Sequence, residues 1–401
     1  MAPSLRQRKR RANSANSSTT APLLSTANGS VLPDELLYEI LLRFPAKPLC
    51  RLRTVCRSWR SLLSDSSFVA AHSARHGPLV AAFKQTPEGV DILDISGQTV
   101  RRILVDDCPQ HQFANVACTN LNVFCLVGED LLPRILDPAT GVVSPLSNDN
   151  QELYYDGHIT SLAFGTAPST GETKVLAITA KHRKVTSCKV LTFGGAGECW
   201  RDTGCPPTLL ATSSRCAPLV KGVLYFWAYD NNYRIDHIAA YDLDTEKWRH
   251  DLLHLPLPIH EAIPLAELSD TLVAVYRRNN NHTYRNCSDL CIDLWFLTDS
   301  EKVLWSKRYT IVMPYHGCWR PCECDTSYGY GHPLWALDDG KIVFWVTLDW
   351  RRGDGRHVRI NSLRVYDTRT NTCMSSVEMP DCELAGVYRG SLLARVPWIR
   401  N

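Results

Sequence analysis

The sequence predicts an α + β multidomain chain, in which a small helical domain is followed by a much larger all-β domain. Apolar residues recur at helical spacing between Leu32 and Phe68. After Gly77 and Pro78 this pattern gives way to short β-rich runs separated by Gly, Asp, Asn and Pro. With 401 residues, 44% hydrophobic content and 21% charged residues, the composition is that of a globular protein. We therefore expect a helical domain over residues 31–77 and a β domain over residues 78–401.

The helical domain is predicted from start and stop signals. Pro33 suits the first position of a helix, and acidic residues follow it at the positive end of the helix dipole. An apolar stripe then runs to Phe44, where Pro45 disfavours further helix. Pro48 is predicted to open the next helical segment, whose stripe continues to Leu63. A unit of about forty residues cannot hide this much apolar surface within itself, so we expect it to dock a partner.

The same residues resemble the F-box, and specifically the large plant F-box families. The matching positions are Leu32-Pro33, Glu39-Ile40-Leu41, Arg43-Phe44-Pro45, Lys47, Leu49, Arg51, Val55-Cys56, Trp59 and Phe68. Ser66 departs from the family, which commonly has Pro there. The alternative is an ordinary helical subdomain that packs on the rest of the protein.

The resemblance implies a non-catalytic substrate-recognition subunit of a Skp-cullin-F-box ubiquitin ligase. Its F-box would dock on a Skp-type adaptor, and through it on a cullin-RING assembly, while the β domain would hold a target protein. Such a subunit raises the effective concentration of a target lysine near the ubiquitin donor. An F-box scaffold or regulator that does not promote degradation would share every one of these sequence features. The adaptor-binding residues that the resemblance implies are Leu32, Pro33, Leu36, Leu37, Ile40, Leu41, Pro45, Leu49, Leu52, Val55, Cys56, Trp59 and Leu63; some of them are expected to serve the domain's own core.

Two classes of hairpin alternate along the β domain. One class has a turn with Asp, Thr or Gly between two strands, with copies near Asp94, Asp137, Gly194, Asp242, Thr298 and Asp367. The other class is more apolar and occupies residues 118–127, 171–179, 217–228, 265–276, 334–346 and 384–396. This alternation predicts four-stranded propeller blades, six favoured and seven possible. Because the first hairpin is of the outer class and the last of the inner class, one blade is expected to join strands from both ends of the domain.

The run YDLDTEKW at residues 241–248, followed by Leu255 and Pro256, resembles a kelch outer hairpin. The other copies lack its features, so the resemblance implies a degenerate kelch-like or plant F-box-associated β-propeller. A pair of β-sandwiches with hairpins at similar spacing is the alternative fold.

The distribution of charged and apolar residues indicates which partners and which cellular compartment to expect for the protein. Five basic residues lie within Arg6–Arg11 and no acid precedes Asp34, so the rest of the chain is slightly acidic and no nucleic-acid partner is expected. This cluster is either a nuclear import signal or the start of a solvated tail, since residues 1–30 are Ser-rich and predicted to be disordered. No run is long enough to predict a membrane span, and no signal peptide is indicated. We expect a protein of the nucleus, the cytoplasm or both, whose 16 cysteines are reduced.

No motif predicts catalysis, a cofactor or a metal site. Cys318, Cys322 and Cys324 lie near His316 and His332, but no two cysteines of the chain are separated by the two residues typical of structural zinc sites. A propeller enzyme stays as an alternative, and it would need polar side chains that converge at the central channel.

Target binding is predicted on three polar loops, at 277–286, 316–332 and 350–357. They combine Arg, Tyr and Trp, which are enriched in binding hot spots, with residues that permit exposed turns. The sequence leaves open whether the three loops share one face of a propeller. The candidate target-binding residues are Arg277, Tyr284, Trp319, Arg320, Tyr328, Trp350 and Arg351.

Overall fold

The computed structural model describes both predicted domains. The described residues are 32–84, 89–104, 113–128, 133–147, 159–181, 184–193, 199–211, 217–230, 234–259, 265–277, 289–314, 327–351, 357–390 and 392–393. The chain divides into two compact units, Met1–Leu41 and Leu42–Asn401.

Four helices account for the helical domain. They are α1 (Asp34–Leu42), α2 (Ala46–Leu52), α3 (Arg57–Leu62) and α4 (Ser66–His76). The first hydrogen bond of α1 runs from the main-chain N–H of Leu37 to the carbonyl oxygen of Pro33, at 3.0 Å. Asp34 and Glu35 lie in its first turn, as the helix dipole favours.

Two predicted helix boundaries were wrong by two residues each. Helix α1 ends at Leu42 and not at Phe44, and α2 begins at Ala46 and not at Pro48. The first N–H groups of a helix need no intrahelical partner, so proline is accepted within the first turn. Pro48 therefore lies inside α2, while Pro45 occupies the position before it.

Helix α4 was not predicted as a separate element, because the polar run from Ser64 to Ser67 was interpreted as an ending. Asp65 instead caps the start of α4. Its Oδ1 atom accepts hydrogen bonds from the main-chain N–H groups of Ser67 at 2.9 Å and Phe68 at 3.4 Å. An acidic residue directly before a helix is a signal that the sequence did contain.

The β domain forms six antiparallel sheets, each a blade of a propeller. The strands are given from the innermost to the outermost of each blade. The first blade contains β25 (Cys382–Tyr388), β1 (Leu79–Lys84), β2 (Gly89–Leu93) and β3 (Thr99–Leu104); the second contains β4 (Phe113–Cys118), β5 (Phe124–Gly128), β6 (Pro133–Leu136) and β7 (Val143–Pro145); and the third contains β8 (Ile159–Thr166), β9 (Thr173–Lys181), β10 (Lys184–Thr192) and β11 (Arg201–Thr203). The fourth blade contains β12 (Leu219–Val220), β13 (Val223–Tyr229) and β14 (Ile235–Asp242), with β15 (Lys247–Trp248) and β16 (Leu253–Ile259) both paired to β14; the fifth contains β17 (Leu265–Leu268), β18 (Thr271–Arg277), β19 (Asp289–Asp299) and β20 (Leu304–Pro314); and the sixth contains β21 (Ser327–Ala336), β22 (Lys341–Arg351), β23 (His357–Asp367) and β24 (Thr372–Glu378).

The prediction of six blades is confirmed, and so is closure by strands from both ends of the domain. Strand β25 pairs antiparallel with β1, with Leu79 opposite Tyr388. The first strand of the predicted inner hairpin over residues 384–396 lies in β25, which pairs with β1. The second half of that hairpin extends into residues 394–396, which lie outside the described residues. Pairing the two ends of the domain leaves no unpaired edge at the junction of the ring.

Apolar layers hold neighbouring blades together. Between the fifth and sixth blades, Leu294, Ile311 and Phe344 belong to one buried cluster. Between the third and fourth blades, Leu176 and Tyr241 share another. The sequences of the inner strands are therefore nearly continuous runs of apolar residues, because both faces of these strands are covered.

A repeated turn explains the outer hairpins. An aspartate at the end of the third strand accepts main-chain hydrogen bonds from the turn that follows. Asp242, for example, accepts from the N–H groups of Asp244 and Thr245, both at 3.0 Å. Short polar side chains that bond their own turn in this way are typical of such positions. The same aspartate recurs in the described turns at Asp94, Asp137, Asp299 and Asp367.

Candidate adaptor-binding and target-binding sites

Helices α2, α3 and α4 enclose a small apolar core. Leu49, Leu63 and Phe68 are fully buried, and Ala46 is nearly so. Cys56 caps the start of α3, because its Sγ atom accepts a hydrogen bond from the N–H of Trp59 at 3.5 Å. The hydroxyl of Ser58, together with this main-chain bond, lowers the pKa of the Cys56 thiol.

Two histidines of α4 satisfy main-chain carbonyls that the preceding segment leaves open. The Nε2 atom of His72 lies 2.9 Å from the carbonyl oxygen of Phe44, and that of His76 lies 3.0 Å from the carbonyl oxygen of Leu42. The last carbonyls of a helix have no intrahelical partner, so a side-chain donor stabilises the helix end. Burial lowers the pKa of His72, which keeps its ring neutral.

The helices are joined to the chain that follows the last strand. The guanidinium of Arg53 donates to the carbonyl oxygen of Leu63 at 2.6 Å and also to that of Leu393. The hydroxyl of Ser73 donates to the carbonyl oxygen of Arg389 at 3.2 Å. Arg389 itself contacts the turn between β4 and β5, where its N–H donates to Asn122 Oδ1 at 2.7 Å. Helices α2 to α4 therefore lie at the face of the propeller where β25 ends.

Most of the predicted adaptor-binding residues are accessible. In the first unit, Leu32 is 52% exposed and Leu36 is 53% exposed. In the second unit, Val55 is 63% exposed. The other accessible members are Pro33, Leu37, Ile40, Pro45, Leu52, Cys56 and Trp59, of which Leu37, Leu52, Cys56 and Trp59 are half-buried.

Three of the predicted residues are buried, and one exposed residue was overlooked. Leu41, Leu49 and Leu63 are at most 2% exposed, so they stabilise the fold in the structure. Phe44 is 42% exposed, but it was absent from the predicted adaptor-binding residues although it belongs to the matching F-box positions. A large apolar residue directly before proline, at the end of a helix, was the signal that could have identified it.

The predicted target-binding loops start from strand ends that share one face. Neighbouring strands of a blade are antiparallel, so the second and fourth strands of every blade run in the same direction. Strands β18, β20 and β22 therefore end at one face, at Arg277, Pro314 and Arg351. This is the face opposite to the one that bears α2 to α4, because β25 is a first strand and runs the other way.

The predicted target-binding residues are described to different extents. Arg277 is half-buried at the end of β18. For Tyr328, Trp350 and Arg351 the structure describes the main chain, within β21 and β22. Tyr284, Trp319 and Arg320 lie outside the described residues.

Metal and membrane features can be assessed for the described part of the chain. Of the cysteine and histidine cluster considered for zinc, His332 is described, whereas His316, Cys318, Cys322 and Cys324 are not. Within the described ranges, no group of three or more His, Cys, Asp or Glu side chains could hold a metal ion. None of the four described helices is long and apolar enough to cross a membrane.

Comparison with known families identifies both the helical region and the six-bladed propeller. Residues 96–350 match the family described as the F-box associated beta propeller domain, and residues 30–70 match the F-box domain. The first match spans more than half of the chain. The chain therefore belongs to the F-box associated beta propeller family, as the sequence resemblance predicted.

Three relatives of this chain come from the plant Arabidopsis thaliana. An F-box protein of Arabidopsis thaliana is 26% identical over 323 residues, which cover 76% of this chain and 77% of the relative. An F-box/kelch-repeat protein of the same plant is 25% identical over 366 residues, covering 84% of this chain and 89% of the relative. A further relative from that plant, named Peroxiredoxin-2A, is 24% identical and covers 73% of this chain and 56% of its own length.

Proposed function

We propose that this chain is the substrate-recognition subunit of a Skp-cullin-F-box ubiquitin ligase. The F-box docks on a Skp-type adaptor, and the propeller binds a target protein. The observation that carries the proposal is the set of exposed apolar residues within the F-box match. Exposed leucine and valine in a helical domain are unfavourable in water unless a partner covers them.

Docking is assigned to the accessible members of the predicted set. Leu32, Pro33, Leu36, Leu37 and Ile40 contribute from the first unit. Pro45, Leu52, Val55, Cys56 and Trp59 contribute from the second unit, and Phe44 is added to them. Each buried leucine side chain contributes about 1.5–3 kcal/mol to such an interface before its costs are subtracted.

The chain's contribution to ubiquitin transfer is positional. Hydrogen bonds from Arg53 and Ser73 join α2 to α4 with the segment after β25. A target held by the propeller would therefore keep a fixed distance from α2 to α4. Restricting the target in this way converts a bimolecular encounter into a nearly intramolecular one.

Target binding is proposed at the face where β18, β20 and β22 end. The strand ends at Arg277 and Arg351 support this choice, because they lie on the face that α2 to α4 leave free. The residues predicted to contact the target belong to the three loops that follow β18, β20 and β22 in the sequence, or lie directly beside those loops. Arginine and aromatic residues supply the contacts that dominate most protein interfaces.

Co-purification with the adaptor tests the proposal. Leu32→Ala with Leu36→Ala should lower recovery of a Skp-type adaptor by about tenfold or more, because two exposed apolar contacts are lost. The propeller offers a matched control. Leu257 and Leu304 are 44% and 52% exposed, so their replacement by Ala removes similar apolar surface elsewhere.

Equal adaptor recovery from the F-box variant and the propeller control would refute docking through the F-box. Degradation is tested separately by depleting the protein. If a protein that binds the propeller accumulates and loses its ubiquitin conjugates, the chain is a receptor. If bound proteins keep their abundance, the chain is an adaptor-binding scaffold.

We also propose that the protein resides in the nucleus, the cytoplasm or both. The proposal rests on the basic residues Arg6–Arg11. Replacing all five basic residues by Ala should move a fluorescent fusion out of the nucleus if the cluster is an import signal, and should leave its distribution unchanged if the cluster is a solvated tail.

A further inference from the structure

Two histidines face each other across adjacent strands in the fourth blade. His237 on β14 pairs directly with His254 on β16. The centroids of their rings are 4.4 Å apart, and the ring planes are inclined by 57°. Directly opposed residues on antiparallel strands present their side chains to the same side of the sheet, so the two imidazoles can act on one ligand.

An irregular strand pairing creates this arrangement. Ile235 pairs with Ile259 and His237 pairs with His254, so one residue of β14 lies opposite four residues of β16. Pro256 is among those four, and proline cannot donate to a strand ladder. The resulting bulge leaves Asp236 unpaired, and bulges commonly redirect a side chain in this way.

Asp236 fixes the tautomer of His237. Its Oδ1 atom accepts a hydrogen bond from Nδ1 of His237. The proton therefore lies on Nδ1, and Nε2 presents its lone pair. A carboxylate behind a histidine is the arrangement that orients metal-binding imidazoles and raises their basicity. Among the described residues, Nε2 has no hydrogen-bond partner on either His237 or His254.

The separation of the two rings suits chelation. A metal ion about 2.1 Å from a ring nitrogen lies about 3.2 Å from the ring centroid. Two rings that bind one ion at a right angle then have centroids about 4.5 Å apart, and the observed separation is 4.4 Å. Right angles between ligands are typical of Cu²⁺ and Ni²⁺ sites.

The main chain of the site is held by the neighbouring blade. The indole N–H of Trp305 donates to the carbonyl oxygen of His254 at 2.9 Å. This contact holds β16 against β20 of the fifth blade. The side chain of His237 is 18% exposed and that of Asp236 is 36% exposed, so an ion can reach the site from solvent.

The other close histidine pair of the described chain provides a contrast. His72 and His76 have ring centroids 4.2 Å apart. Both of their Nε2 atoms are bound to main-chain carbonyls, at 2.9 and 3.0 Å. Because a nitrogen that donates its proton cannot bind a metal, ring proximity alone does not make that pair a ligand site.

We propose that His237 and His254 form a two-histidine site for a divalent transition-metal ion, with Asp236 as a positioning residue. Water would complete the coordination, since no third protein ligand is present among the described residues. The site lies outside the F-box helices, so the proposal is independent of ligase function.

Binding of Ni²⁺ to the full chain, purified without a histidine tag, tests the proposal. Isothermal calorimetry should show one site that is lost in both His237→Ala and His254→Ala. His250→Ala is the matched control, because His250 is an exposed histidine of the same blade. It should keep the site. Asp236→Asn should keep the stoichiometry and weaken affinity by about tenfold or more, as expected of a residue behind a ligand.

A second measurement locates the ion independently of variants. Ni²⁺ should protect His237 and His254, but not His250, from modification by diethylpyrocarbonate, as read by mass spectrometry. Identical isotherms for the wild-type chain and both alanine variants would overturn the proposal. Loss of the site in one alanine variant only would also overturn it, provided that far-UV circular dichroism in EDTA shows all variants folded.

Discussion

The side-chain amide of Asn361 donates a 2.6 Å hydrogen bond to the carbonyl oxygen of Cys382, and so ties the sixth blade to the strand that closes the ring. The Oδ1 atom of Asn361 accepts from the hydroxyl of Thr347, also at 2.6 Å. All three groups are buried. Both hydrogen-bonding ends of this amide are therefore used where the first and last parts of the propeller meet.

Replacing Asn361 by Ala should lower the free energy of unfolding by about 2 kcal/mol, because two buried hydrogen bonds are lost. Urea unfolding measures this change. Thr347→Val should cost less, since it keeps the bond to Cys382. Additive effects of the two substitutions in the double variant would contradict the coupling, because residues in one network are expected to interact.

His72 should make the stability of the F-box helices depend on pH. Burial lowers its pKa below the usual value of 6.5, so the folded state binds its proton less readily than the unfolded state. The stabilisation is present above pH 6.5 and is lost as the pH falls. His72→Gln keeps a donor for the carbonyl of Phe44 but does not titrate. The free energy of unfolding of the His72→Gln variant should therefore vary less between about pH 7 and pH 5 than that of the wild type. The same dependence of this free energy on pH in both proteins would contradict the prediction.

Val303 adopts a left-handed backbone conformation, with φ of 52°, in the turn between β19 and β20. Branched side chains are strained there. Asn371 occupies the equivalent turn position between β23 and β24, with φ of 55°. Val303→Asn should raise the free energy of unfolding by about 1 kcal/mol, and Asn371→Val should lower it by a similar amount. Thermal unfolding measures both, and changes of the same sign would contradict the explanation.

The buried thiol of Cys188 in the third blade and the buried hydroxyl of Tyr241 in the fourth should make the stability of the propeller fall at high pH. Burial raises the pKa of Cys188 from 9.0 to about 12 and that of Tyr241 from 10.0 to about 12. The folded state thus holds both groups neutral, and its stability is complete below pH 9 and falls as the pH rises toward 12.

Cys188→Ala should therefore flatten the decline in the free energy of unfolding between about pH 8 and pH 10.5, by on the order of 1–2 kcal/mol. Cys199 is exposed and serves as the control, so Cys199→Ala should leave the decline unchanged. An unaltered slope in the Cys188 variant would contradict the role of its burial.

Arg53 should couple the F-box helices to the propeller, because its guanidinium bonds the carbonyl oxygens of both Leu63 and Leu393. Arg53→Met keeps the aliphatic part of the side chain but removes both bonds. Hydrogen exchange should become faster in α2 to α4 and stay unchanged in the blades. Arg57→Met replaces an exposed arginine nearby and should change neither, so equal exchange in the two variants would argue against the coupling.

Local patterns were enough to predict the repeat of the fold. The aspartates at 94, 137, 242 and 367 bond the turns that follow them, so turn chemistry written in a few consecutive residues identified the outer hairpins. The pairing of distant strands is not written in this way. The partner of β25 is β1, which lies at the other end of the domain, and only the order of the two hairpin classes along the whole domain indicated that both ends share a blade.

The binding sites likewise depend partly on local sequence and partly on contacts between distant segments. The amino-acid sequence by itself determined the F-box match, the five outer turns that the structure describes and the apolar residues proposed for docking, because helical spacing and turn residues act over a few positions. The turn predicted near Gly194 lies outside the described residues. Tertiary structure alone decided which of those residues are buried, as Leu49 and Leu63 are, and which loops share a face. It also decided that His237 meets His254, since a bulge opposite Pro256 sets that register. Contacts between distant segments depend on how strands pair and blades pack, and neither is encoded in any short stretch of chain.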